Sequence, residues 1–264
     1  MRKIGINFTA RGDMSEEDFF RKISELGFQV CMSEMHELEE HIRLTKWMEK
    51  YNLEYDEIHA PFSHTNDLWL EGDGGEQMYK ETIECIERCQ MLNAPMTVIH
   101  LAKGATPPSI TDIGRSRFEN IVEFAMKKNV KVAFENIATL SQLAWAMETF
   151  KDESMVGFCW DCGHEGCFTQ EIEFMPLFGK RLMCTHIHDN EGEVNKDSHM
   201  IPFDGKFNYE RFTKQIRESG YTGPLTLEIL PKKTKYYQDV SPDAYLEKAA
   251  AAVKRLVYMV EGNV

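Results

Sequence analysis

Lys131-Val-Ala-Phe-Glu135 sets a strand-like run ahead of a carboxylate, and similar runs end on a carboxylate or an imidazole in Gly157-Phe-Cys-Trp-Asp161, in Cys184-Thr-His-Ile-His188 and in Leu225-Thr-Leu-Glu228. Short runs rich in β-branched and aromatic residues read as strands buried on both faces, the kind found in parallel sheets. Each of the four ends on a group that can hold a metal. Two glutamates, an aspartate and an imidazole make a hard-to-borderline ligand set, suited to a divalent cation such as Zn2+ or Mn2+. A lone charge closing a strand is commonly a solvated cap, since charges are seldom buried. Four at equivalent places in successive units point to one site. Side chains alternate faces along a strand, so Glu135 shares its face with Ala133, His188 with His186 and Cys184, and Glu228 with Thr226.

Outward from this stretch the chain keeps one rhythm. Strand signals span residues 3–8, 28–33, 54–60, 96–101, 130–136, 156–161, 182–188 and 225–229, eight in all. Helical patterns lie between them: Phe19, Ile23 and Leu26 fall on one face, as do Phe118, Ile121, Val122 and Ala125, and a last helix over 244–260 carries Ala249, Val253, Leu256 and Val260. Gly27 and Gly220 stand where helix C-caps belong. The sixth helix reads as short, 172–178, and broken by Pro176, while Glu71-Gly-Asp-Gly-Gly75 reads as a surface loop. Strand-helix alternation over 264 residues predicts a single α/β domain, 1–264, of the (β/α)8 TIM-barrel class. Such barrels run to roughly 250 residues and carry their sites at the carboxyl ends of the strands.

Composition narrows the partners. Thirty Lys and Arg stand against 43 Asp and Glu, a formal charge of −13, which disfavours nucleic acid and anionic membrane and favours a small molecule. No stretch approaches the roughly 18 apolar residues of a membrane span, and Met1-Arg2-Lys3 leads into no apolar leader, so a cytoplasmic location is expected. The seven cysteines read as free thiols: Cys159, Cys162 and Cys167 cluster, but no second pair completes a thiolate zinc site. A homo-oligomer remains open.

More groups fall at the level of the first four: His59 in Ile-His-Ala-Pro, His100 in Val-Ile-His-Leu, His164 three residues after Asp161, and Asp197-Ser-His199. Singly, each histidine reads as a polar core or loop residue. Together they outnumber the needs of one ion, and suit roles as orienters of ligands, donors to substrate, or ligands of additional ions.

In their order along the chain, Ile4-Gly-Ile, Ile58-His-Ala-Pro, Val98-Ile-His, Phe134-Glu-Asn, Trp160-Asp-Cys-Gly-His164, His186-Ile-His-Asp-Asn190 and Leu227-Glu-Ile resemble the motifs of the xylose isomerase-like barrel superfamily. That group includes sugar isomerases and epimerases and also endonuclease IV. The resemblance implies that Glu135, Asp161, His188 and Glu228 match the single-metal site of ketose epimerases, with His164 matching a substrate-contacting histidine. It equally implies counterparts of the nine zinc ligands of endonuclease IV in His59, His100, Glu135, Asp161, His164, His188, Asp197, His199 and Glu228. Where that family has Gly-x-Gly shortly after its Asp-x-His, this chain has Phe203-Asp-Gly205.

The expected activity is a metal-dependent isomerase or epimerase of a sugar, sugar phosphate or related keto-polyol, with an enediolate intermediate and Glu135 and Glu228 as base and acid. His164, His59, His100, His186 and Trp69 are the expected substrate contacts, Trp69 as a ring to stack on a sugar face or as a loop anchor. His36, Glu34 and Phe203 are further loop positions where substrate choice is read. The alternative is a multinuclear zinc phosphodiesterase acting on abasic DNA, for which Lys232-Lys-Thr-Lys-Tyr-Tyr237 and Arg115 and Arg117, ahead of the fourth helix, are the basic residues at hand. A dehydratase or lyase would use much the same ligands.

Overall fold

The computed structural model describes residues 2–262, so residue 1 and residues 263–264 of the expected domain lie outside the described residues. Eight parallel strands form the barrel: β1 Ile4–Asn7, β2 Val30–Glu34, β3 Glu54–His59, β4 Met96–His100, β5 Lys131–Glu135, β6 Val156–Asp161, β7 Leu182–His186 and β8 Leu225–Leu227. Each strand pairs with the next from β1 to β7, and β8 pairs with β1. The remaining seam is closed by Ile187, whose N–H donates to the Thr226 carbonyl at 3.0 Å and whose carbonyl accepts from Glu228 N at 3.1 Å.

The outer ring comprises α1 Glu16–Glu25, α2 Leu38–Lys50, α3 Asp73–Leu92, α4 Asp112–Lys127, α5 Ser141–Thr149, α6 Cys162–Phe168, α7 Phe174–Phe178, α8 Tyr209–Ser219 and α9 Pro242–Val260. Ser15, Thr111, Asn208 and Ser241 cap helices by accepting a backbone N–H from the first turn, each contributing about 1 kcal/mol. The expected stripes face inward: Phe19 and Ile23 on α1, Phe118, Ile121, Val122 and Ala125 on α4, and Ala249, Val253, Leu256 and Val260 on α9 are all buried. Among the described residues no helix is long and apolar enough to cross a membrane. All seven cysteines are buried free thiols.

Three local expectations give way. Asp73, Gly74 and Gly75 belong to α3 rather than to a loop; a Cβ at Gly75 would sit 2.2 Å from Arg117 Nη1 and 2.6 Å from the Asp67 carbonyl, so close packing explains that glycine. Arg115 and Arg117 lie inside α4, not ahead of it, and Arg117 is buried, donating to the carbonyls of Asp67, Leu68 and Leu70. The sixth unit holds two short helices, and Pro176 is the third residue of α7, in the first turn, where its missing N–H costs nothing.

Inside the barrel, Met96, Val98, Ala133, Cys159 and Cys184 form a small apolar cluster separate from the large core between strands and helices. It is the floor on which the polar groups rest.

Candidate metal centre

The last residues of β3, β4, β5, β6 and β7 are His59, His100, Glu135, Asp161 and His186, and Glu228 follows β8 by one residue. Parallel pairing sets these ends side by side: His100 is in register with Glu135, and Asp161 with His186. Glu135 sits at the middle. Its Oε2 lies 3.1 Å from His59 Nε2, 3.0 Å from His100 Nε2 and 3.4 Å from His186 Nδ1, and its Oε1 lies 2.9 Å from His164 Nδ1. The His59 ring is oriented by Nδ1 against its neighbour's carbonyl, Ala60 O, at 2.7 Å, which turns Nε2 toward the carboxylate.

Asp161 serves two elements. As the N-cap of α6 its Oδ1 accepts from His164 N at 2.6 Å, which ties the helix start to the strand end, while Oδ2 lies 3.1 Å from His188 Nε2. The chain turns into this helix so tightly that a Cβ at Gly163 would overlap the His188 ring at 2.0 Å. His199 directs Nδ1 at the Glu228 carbonyl, 2.8 Å away, and places Nε2 2.9 Å from Asp197 Oδ2; its ring stacks on that of His188 at 3.8 Å. Lys233 Nζ reaches the same Asp197 oxygen at 2.6 Å.

All nine residues of the larger expected set therefore meet in one contiguous region, but the grouping within it differs from the expectation. Donor atoms of Glu135, Asp161, His186 and Glu228 converge within 4.8 Å of one another, while His188 falls in a second group with His164, Asp197 and His199. The physical reason is where β7 stops: it ends at His186, and Ile187 bridges to Leu227 to close the barrel, so His188 projects from beyond the strand. Sequence spacing assigned the strand two residues too many. His186, expected among the substrate contacts, is fully buried and stands in the converging donor set instead.

Trp69 is likewise not at the mouth. It is fully buried, donates Nε1–H to the Leu101 carbonyl at 2.6 Å and packs on Phe118, which makes it the anchor of its loop. The residues that do line the opening, a cavity of about 270 Å³, include His100, His164 and Asp197 with Phe62, Lys103 and Phe168. Phe62, whose ring lies 4.7 Å from that of His100, went unnoticed in the sequence because a loop aromatic carries no periodic signal. Phe203, where the family pattern has glycine, adopts φ 76 and sits under the Arg255 guanidinium, 3.9 Å above its ring.

Carboxylates and imidazoles here hold one another's charges against burial: His164 and His186, both buried, are raised well above the usual imidazole range by the neighbouring acids. Burial disfavours the charge on Glu135, yet the surrounding imidazoles of His100, His186 and His164 hold it well below the usual carboxylate range. Asp161, also buried, is held at about 2 by His164 and His188. Burial dominates at Glu228 and pushes it up to about 7, and it lowers His100 to about 4. His59 is also buried, but the Glu135 carboxylate outweighs that and raises it to about 9. Glu135 Oε1, His186 Nδ1, His188 Nδ1, Asp197 Oδ1 and Glu228 Oε2 are buried without a hydrogen-bond partner. Of these, His186 Nδ1 and Glu228 Oε2 lie 3.6 Å apart in the converging donor set, and buried atoms left without partners there are costly and are what a bound cation satisfies, so these residues fit a divalent ion.

A profile of the xylose isomerase-like TIM barrel family matches residues 20–256. The chain belongs to that family. It is 31% identical over 149 residues to an uncharacterized protein of Sinorhizobium fredii, covering 54% of this chain and 46% of that protein. A second uncharacterized relative, from Methanocaldococcus jannaschii, is 27% identical over 192 residues, 65% of this chain and 63% of its own length, so the matches span less than two thirds of either curated relative. Among solved structures, D-psicose 3-epimerase from Clostridium cellulolyticum H10 superposes with a TM-score of 0.77 at 13% identity, covering 98% of this chain and 99% of that one. A D-tagatose 3-epimerase-like protein gives 0.72 at 23% identity, with 99% of both chains covered. At these identities the likeness is one of fold.

Proposed function

We propose that the protein is a divalent-metal-dependent epimerase or isomerase of a small sugar or related keto-polyol, free or phosphorylated, acting in carbohydrate metabolism through an enediolate. The observation that carries this reading is the convergence of Glu135 and Glu228, from different strands, on one buried donor set with Asp161 and His186. Three carboxylates and an imidazole suit Mn2+ or Zn2+. Such an ion supplies Lewis-acid stabilisation of negative charge developing on a substrate oxygen.

The chain's own residues do the rest. Glu135 and Glu228 take a proton from the carbon beside the carbonyl and return it, a role worth roughly 10²–10⁴-fold in rate. His100 and His164, at the cavity wall, hold substrate oxygens by hydrogen bonds. At about 270 Å³ the cavity lies just below the roughly 300–1,000 Å³ of common ligand pockets, and suits a monosaccharide rather than a duplex. The D-psicose 3-epimerase structure of the same fold supports the reaction class. A cytoplasmic setting accords with seven thiols left unpaired.

The group of His164, His188, Asp197 and His199 supports a second ion close by. It does not favour DNA cleavage: the formal charge is −13, Arg117 is spent on backbone carbonyls, and Lys233 is paired with Asp197. The test is incubation of metal-loaded protein with a panel of ketoses and ketose phosphates in D2O. Deuterium at the carbon beside the carbonyl is the expected result, and three bound ions with no exchange on any member would turn the reading toward hydrolysis.

A further inference from the structure

Strand β3 contains an extra residue. Its register against β2 runs from Cys31 opposite Tyr55 to Ser33 opposite Ile58, so two steps on one strand match three on the other. This bulge breaks the alternation of faces, and the consecutive acids Asp56 and Glu57 are both buried with polar partners across the barrel. Asp56 accepts from the Thr226 hydroxyl; Glu57 pairs with Nε2 of His186.

Glu57 is fully buried, and that contact is its one side-chain hydrogen bond among the described residues; its second oxygen has none. A buried carboxylate committed to a single imidazole is expensive to keep unless holding that ring matters. The ring it holds is the one in the converging donor set: His186 Nδ1 has no hydrogen-bond partner and lies 3.4 Å from Glu135 Oε2 and 3.6 Å from Glu228 Oε2. A proton held at Nε2 by Glu57 leaves Nδ1 as the nitrogen that can give its lone pair to a cation among these carboxylates. That tautomer binds a cation, and a carboxylate behind a ligating histidine is how such rings are oriented.

We propose that Glu57 is the positioning residue of the metal centre, fixing the tautomer and orientation of His186 from beneath. The inference rests on the metal-dependent reading above. Asp56 provides an internal control: it is the preceding residue and also buried, but it contacts Thr226 rather than a metal donor.

The experiment measures Zn2+ affinity by chelator competition, the visible spectrum of the Co2+-loaded protein, and the melting temperature of the metal-free form, for the unaltered protein, Glu57→Gln and Asp56→Asn. Expected is a loss of roughly 10- to 100-fold in affinity and an altered Co2+ spectrum for Glu57→Gln alone, with the metal-free melting temperature no lower. Should Glu57→Gln fail to fold, Glu57→Asp withdraws the charge by one methylene and should weaken binding in the same way. Unchanged affinity in the folded Glu57 variant, or an equal loss in Asp56→Asn, overturns the proposal while leaving the metal-dependent reading intact. An unaltered protein that binds no divalent ion overturns both.

Discussion

Along β4 the inward positions read Met96, Val98, His100; along β5, Ala133 then Glu135; along β6, Cys159 then Asp161; along β7, Cys184 then His186. One pleat repeat, roughly 7 Å, separates the apolar floor of the barrel from its charged mouth, and the two ends of the same strands obey opposite rules. The floor gains stability by burying apolar surface. The mouth collects carboxylates and imidazoles whose burial opposes folding, and whose assembly makes sense only as a site. Each strand from β4 to β7 changes chemistry at its last residue, His100 in register with Glu135 and Asp161 with His186, which is why the pattern is legible in separate pieces of sequence.

If that division is real, Glu135→Gln is the most damaging change to function: turnover on any ketose the protein accepts falls about 10²–10⁴-fold, whereas the melting temperature of the metal-free protein holds or rises. Steady-state rates and a thermal scan on one preparation separate the two effects. Trp69→Ala does the reverse. Removing a fully buried indole costs about 3–5 kcal/mol in denaturant titration, and the KM of the folded remainder stays near that of the unaltered protein; a large KM change would mean that the ring touches substrate after all. Met96→Ala, on the floor, costs about 2–5 kcal/mol and leaves Zn2+ affinity within twofold.

Asp56 offers a smaller and pH-dependent test. Burial, with the neighbouring Glu57 charge, raises it to about 7 from 3.8. A group bound more tightly to its proton in the folded state adds stability fully below its unfolded value and loses it as pH rises through the folded one. Stability should therefore fall between about pH 4 and pH 7, by at most about 4 kcal/mol from this residue. Asp56→Asn should flatten that part of the melting curve against pH and raise the melting temperature at pH 8. An unchanged slope would place the titration elsewhere.

Sequence reading went furthest where the physics is periodic. Eight apolar runs at barrel spacing specified the strands, and the i, i+3, i+4 stripes of α1, α4 and α9 specified the faces that pack on them. It failed where a backbone irregularity or a strand end decides the outcome. The strand containing His186 stops one residue earlier than the apolar Ile187 suggests, because that residue bridges to β8; the imidazole that converges with Glu135, Asp161 and Glu228 is thus His186 rather than His188. Counting from the strand end in β5 and β6, where the acid is the final residue, is the signal that would have located it. Asp56 and Glu57 could not be placed by alternation, since the bulge puts two neighbours to the same use. Trp69 stayed open between stacking and anchoring because an aromatic in a loop looks the same in sequence whether it faces a ligand or the Leu101 carbonyl.

Metal content tests the contrast between floor and mouth most directly. Elemental analysis after loading and desalting should find at least one divalent ion per chain in the unaltered protein and in Met96→Ala, and a clear loss in Glu135→Gln. A correctly folded, unaltered protein that retains no divalent ion, or a Glu135→Gln variant that keeps its full complement, would contradict the account.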